Sequence, residues 1–210
     1  IGLTRNNKGT NPIFPMYGSE FSITAKMTLP YSLFNGTNYA TLGDQEENKY
    51  KYSGTTAYTG ANGIQVKPGD YVEAVPSSTN PYPNSVANYK DAAADPAKVD
   101  QKKFNWLEYY KIKFKADWYT KIYGKFVLRT LSEFGFLGNY NSNRGNIPFE
   151  RYYLGGDGMM MYSMDGRETI QLRGYPNNSL TPINSAGEQI GATVYNKFSL
   201  EMRYPITLKS

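Results

Sequence analysis

The sequence predicts an all-β chain, and within that class part of an antiparallel transmembrane β-barrel with long extracellular loops. Three observations carry this reading. Four runs alternate apolar and polar residues with a period of two, each at least the roughly 9–11 residues that a tilted strand needs to cross a bilayer. The connections between runs are short at one end and very long at the other. The composition, with 20 Tyr, 20 Gly and 12 Pro in 210 residues, favours strands and irregular loops over helices.

Composition also excludes chemistry. The chain has no Cys and no His, which rules out a disulfide framework, a thiol nucleophile, a Cys/His zinc site and a His-based triad. The longest apolar run is Met159–Tyr162, far short of the roughly 20 residues of a transmembrane helix. The chain opens on Ile1 in what reads as a strand and not as a signal peptide, as the mature form of an exported protein also would. The net charge of +5 comes mostly from basic residues scattered at alternate strand positions, which fits solubility and argues against nucleic acid.

The runs follow in order. In Ser19–Leu29, Phe21, Ile23, Ala25, Met27 and Leu29 alternate with Ser22, Thr24, Lys26 and Thr28. In Tyr110–Trp118, Tyr110, Ile112, Phe114, Ala116 and Trp118 alternate with three lysines and Asp117. In Ile122–Phe134, Ile122, Phe126, Leu128 and Phe134 form the apolar set, blurred by Val127 and Leu131. In Val194–Leu208, Val194, Phe198, Leu200, Met202, Tyr204, Ile206 and Leu208 share one face, and Lys197, Ser199, Glu201, Arg203 and Thr207 the other. A soluble sandwich also alternates, but its strands average only about 5–6 residues. Lipid on one side and water on the other is the better account, and it makes Phe114, Trp118, Phe198, Leu200, Met202 and Ile206 lipid-facing.

Asn6–Gly18 is a Pro-rich connection of medium length, and Tyr119–Lys121 reads as the turn between the second and third runs. Residues 30–105 and 137–193 form the two long loops. In the first, Asp95 can cap a helix that starts at Pro96 and runs through Ala97, Val99 and Lys103. Asp44, Glu46 and Glu47 lack calcium-ligand spacing and read as a solvated acidic tip. In the second, Gly155-Gly156-Asp157-Gly158 is not a phosphate loop, Met159–Met161 with Met164 reads as loop packing, and Asn177 with Ser179 is a sequon by pattern only. Glu133 and Glu201 could face one lumen, yet no partner cluster makes them an acid/base pair. The expectation is no enzyme, no catalytic residue, no cofactor and no metal.

Three stretches in order resemble the barrel of BamA-type outer-membrane assembly factors, of the POTRA-barrel translocation superfamily. They are Phe14-Pro15-Met16-Tyr17-Gly18-Ser19, then Pro148–Gly156 followed by Leu172-Arg173-Gly174-Tyr175, then Ser199-Leu200-Glu201-Met202-Arg203-Tyr204-Pro205. The middle stretch looks like the family's sixth extracellular loop, whose hallmark is an aliphatic residue, Arg, Gly and an aromatic. One departure is that Asp157–Gln171 separate the double glycine from the Arg-Gly pair, where the family has only a few residues.

The resemblance implies a barrel of roughly sixteen strands when complete. This chain then looks like its central-to-late part, without POTRA domains or the strands of the lateral seam. It implies that the second loop folds into the lumen, that Gly155 and Gly156 form its base, and that Arg173 contacts the wall at Glu201. The implied function is folding and insertion of β-barrel proteins into the bacterial outer membrane. The implied partners are outer-membrane lipid, client β-barrel proteins and accessory assembly lipoproteins. Alternatives are a polypeptide-translocating barrel of the same superfamily and a porin or nutrient-uptake barrel.

Overall fold

The computed structural model describes residues 1–9, 11, 13–157 and 167–206. Its elements are β1 (Gly2–Asn6), β2 (Gly18–Met27), β3 (Tyr58–Thr59), β4 (Gln65–Val66), α1 (Pro96–Phe104), β5 (Tyr110–Tyr123), β6 (Phe126–Gly138), β7 (Tyr152–Leu154), β8 (Glu168–Ile170) and β9 (Val194–Arg203), with short 3-10 turns in the first loop. Five strands form one open sheet in the order β1-β2-β5-β6-β9, every neighbouring pair antiparallel. No helix of the described residues is long and apolar enough to cross a membrane.

The period of two sorts the sheet into two faces. In register, Trp118 stands beside Thr130, which stands beside Leu200, and Leu128 beside Met202. Phe21 meets Trp118 edge-on with ring centres 5.0 Å apart. On this face Leu200 is 62% exposed, Phe198 66% and Met202 70%, with Trp118 also exposed and Phe114 half-buried. A soluble protein would cover such a row of large apolar side chains. The opposite face carries the charged residues of β2, β5, β6 and β9, whereas Arg5 of β1 stands opposite Phe21 on the apolar side.

Three sequence-based boundaries move. The turn expected at Tyr119–Lys121 lies at Gly124-Lys125, and Ile122 belongs to β5, not to the following strand. Gly124, at φ 55°, is the first of two turn residues and supplies the positive φ that a type II′ hairpin needs there. An irregularity between Lys121 and Tyr123 absorbs the shift in register. The last strand ends at Arg203, because Pro205 has no N–H to give a ladder. Tyr204 and Ile206 therefore follow the strand, so its alternation does not place Ile206, and Thr207 and Leu208 lie outside the described residues. Val127 and Leu131, which blur the alternation, sit buried on the polar face.

Two compact units result. One holds the sheet with residues 145–157 and 167–206, the described part of its remaining segment. The other comprises Tyr31–Leu107 and Asn141–Arg144. The second unit packs Tyr39, Leu42, Val66 and Val72. As expected, Asp95 caps α1: its carboxylate accepts from the Ala97 N–H at 3.0 Å, with Pro96 opening the helix. The acidic tip is exposed; Glu46 accepts from the Tyr71 hydroxyl at 3.0 Å and Glu47 pairs with Lys102.

Candidate functional site

The polar face is a field of charge set out by the strand period. In β5 it shows Lys111, Lys113, Lys115, Asp117 and Tyr119; in β6, Arg129 and Glu133; in β9, Lys197, Glu201 and Arg203. Three successive lysines on one strand face repel one another unless carboxylates come between them. The loop between β6 and β9 brings those carboxylates.

Lys111 is only 2% exposed. Its Nζ donates to the Glu150 carbonyl at 2.8 Å and carboxylate at 3.0 Å, pairs with Glu168 at 2.6 Å, and lies 4.5 Å from the centre of the Tyr152 ring. Glu168 also pairs with Lys113, and Lys26 stands 3.7 Å from Glu150. Glu150 has φ 61°, rare for a residue with a Cβ. Lys111 grips both its carbonyl and its carboxylate, which holds that strained backbone in place. Tyr152, fully buried, packs edge-on against Tyr195 of β9 at 4.6 Å. Both rings lie over Gly135 of β6, where a Cβ would come within 2.1 Å of Tyr195.

Burial pushes the Glu150 and Glu168 carboxyls up, but hydrogen bonds and charge from Lys111, with Lys26 at Glu150 and Lys113 at Glu168, outweigh it and hold both below the usual range. A carboxyl held down in the folded state stabilises above its ordinary value of 4.5, and that stability goes as pH falls through the depressed value. Loop docking is therefore expected to be complete at pH 7 and to weaken below about 4.5. The line shape of a nitroxide at exposed Thr169 should sharpen over that range, and the E150Q/E168Q variant should lose the pH dependence.

The same loop builds the Arg-Gly turn. Beyond parallel β7 and β8, the Gly155 N–H donates to the Ile170 carbonyl at 3.1 Å, Gly156 to Tyr175 at 3.0 Å, and Leu172 to Gly156 at 2.9 Å. The Tyr175 N–H returns to the Leu172 carbonyl at 3.4 Å, so Arg173 and Gly174 are the corners of a turn, and Gly174 at φ 87° fits a type II turn. Gly155 (φ 122°) and Gly156 (φ 94°) lie hard against the residues that leave this turn: a Cβ would meet the Pro176 carbonyl oxygen at 2.4 Å and Asn177 Oδ1 at 1.9 Å respectively. The double glycine is the seat of the turn.

Exposed Arg173 lines an open cavity of about 710 Å³ together with Glu133, Glu201, Arg129 and Lys197. The expected Arg173–Glu201 ion pair does not form among the described residues. Glu201 is held instead by Arg129, at 3.1 and 3.3 Å, and by Arg203 at 3.4 Å. The reason is register: Arg129 stands directly opposite Glu201, so its guanidinium reaches the carboxylate first. Arg129 also forks onto Asp117 at 2.9 and 3.1 Å, and Lys8 joins Asp117 at 3.4 Å and Glu20. One line of alternating charge thus crosses β2, β5, β6 and β9. In a double-mutant cycle, Glu201 should couple to Arg129 by about 1 kcal/mol, and to Arg173 by less. Chemical denaturation of the single and double alanine variants checks the ranking.

Sequence reasoning missed Lys111, Glu150, Glu168, Tyr152 and Arg129 as site residues. A signal existed for two of them. Glu150 lies inside the stretch that ends in the double glycine, and the lysine row of β5 demands acidic partners. The run Met159–Met161 with Met164 lies outside the described residues. Among the described residues, no group of acidic side chains could hold a metal ion.

A family model described as the Omp85 superfamily domain matches residues 97–210, just over half of the chain. The match takes in β5, β6, the loop with its Arg-Gly turn, and β9. No curated protein matches the chain significantly.

Proposed function

The chain belongs to the Omp85 superfamily, and on that premise we propose that its sheet is a sector of a transmembrane β-barrel in the bacterial outer membrane, in a BamA-type subunit that folds and inserts other β-barrel proteins. The observation that carries this reading is the Leu172–Tyr175 turn, seated on Gly155 and Gly156 in a loop pinned to the polar face by Lys111. A porin-like barrel gives no reason for a loop built around that turn.

The apolar face, with Phe114, Trp118, Phe198, Leu200 and Met202, meets lipid, and the charged face lines the lumen. The activity involves no covalent step and no cofactor. An unpaired strand edge elsewhere in the barrel templates a client strand by main-chain hydrogen bonding. What this sector contributes is a stiff wall, laced by ion pairs across its strands, with a loop fastened to it. In this reading its partners are client barrels, accessory assembly lipoproteins and lipid, and POTRA domains belong to the complete subunit.

Depleting the protein from its own cells should lower the folded, heat-modifiable forms of many outer-membrane barrels together. Loss of a single exported polypeptide, with the barrels intact, would point to the translocating branch of the superfamily instead. Leu200→Arg should cost about 2–4 kcal/mol if the position lies near the bilayer midplane. Nitroxides at Leu200 and Ser199 should report lipid and water respectively; water at both would remove the barrel.

A further inference from the structure

We propose that Tyr31, Leu33, Phe34, Trp106 and Leu107 form a second membrane-contacting surface, one that inserts into the outer leaflet at head-group depth and moors the first loop's folded unit to lipid. The proposal rests on the membrane reading above. It is carried by a patch that the strands do not explain.

Tyr31–Leu33 is a 3-10 turn, closed by the Phe34 and Asn35 N–H groups donating to the Tyr31 carbonyl at 3.0 Å. Leu33 is 62% exposed, Phe34 83% and Trp106 61%, and Leu107 is exposed as well. The Tyr31 and Trp106 rings lie 5.3 Å apart, tilted by 39°, which joins two distant segments into one patch. The patch is rigidly mounted. Arg144, 3% exposed, donates to the Lys103 carbonyl at 2.5 Å and to the Trp106 carbonyl, with its guanidinium 5.6 Å from the Tyr39 ring. The unit's own core is made of other residues, Leu42, Val66 and Val72 among them. A water-facing loop gains nothing from presenting four large apolar side chains on a fixed support.

Lipid is the occupant for two reasons. The first is continuity along the chain. The apolar row Phe21, Ile23, Ala25, Met27 of β2 keeps its period to exposed Leu29 and enters the 3-10 turn two residues later, and Leu107 stands just before β5. Both segments of the patch therefore hang on the ends of strands read as membrane-spanning. The second is chemistry. An indole and a phenol beside Leu and Phe are the side chains that rest at a bilayer interface, apolar body in the acyl region and polar edge in the head groups.

The chain lacks cysteine, so single labels are simple to place. In the full protein reconstituted in phosphatidylcholine vesicles, a nitroxide at Phe34→Cys should collide with oxygen in preference to a water-soluble nickel chelate, at a shallower depth than one at Leu200→Cys. Heat-modifiable migration confirms that both labelled proteins are folded. If the Leu200 label reports lipid while the Phe34 label reports water, the patch faces solvent and the proposal is overturned. If the Phe34 label is shielded from both probes, protein covers the patch, and the proposal is again overturned. If the Leu200 label also reports water, the barrel reading itself has failed.

Discussion

Gly155→Ala should release the loop from the wall. Two effects add. At φ 122° an L side chain is strained by on the order of 1–3 kcal/mol. The new Cβ would also stand 2.4 Å from the Pro176 carbonyl oxygen and 3.0 Å from the backbone nitrogens of Asn178 and Ser179. These are main-chain atoms, and they can yield only if the Pro176–Ser179 segment that follows the Arg-Gly turn moves, which costs roughly 1–3 kcal/mol more in overpacking. Gly174→Ala is the natural comparison. Its φ is 87° but its surroundings are open, so only backbone strain of about 1–2 kcal/mol applies. Limited proteolysis of the loop in native membranes should show Gly155→Ala cut readily and Gly174→Ala nearly as resistant as the parent. Equal behaviour of the two would mean that packing against the double glycine does not hold the turn.

Lys111→Met should be the most damaging single change on the polar face. The substitution keeps the length of the side chain and removes the charge that serves Glu150 and Glu168. Glu168 retains Lys113, but Glu150 is left with the neutral Tyr109 hydroxyl and solvent-exposed Lys26 at 3.7 Å, and its φ of 61° loses the Lys111 bonds that fix it. Unpairing one member of a shielded ion pair typically costs about 3–5 kcal/mol. Replacing the whole cluster by neutral groups of similar shape costs much less, so K111M/E150Q/E168Q should recover part of the loss. The urea midpoint for loop release, read by proteolysis, checks both. A triple variant no better than K111M would show that Lys111 acts through its cation–π contact with the Tyr152 ring and not through the two carboxylates.

Much of the fold was legible because a strand's side chains alternate strictly. Trp118, Leu200 and Met202 needed no structure to be placed together, nor did Lys111 and Asp117 on the other side. The cap at Asp95 was equally legible, since it depends on residues three apart or fewer. The hairpin turn escapes the alternation because a strand irregularity near Ile122 breaks the count, and the residue that marks the turn is Gly124.

The site divides along the same line. Residue order alone says which residues are charged, which face they share, and that an Arg-Gly pair follows a double glycine. Which carboxylate meets which cation was decided only by tertiary structure. Arg129 takes Glu201 because β6 and β9 pair in one register and not in another, and Lys111 takes Glu150 and Glu168 because the loop folds back onto β5. Strand period is a local property, carried by neighbouring peptide units. Register and loop return depend on contacts between residues tens of positions apart, and no local pattern records them.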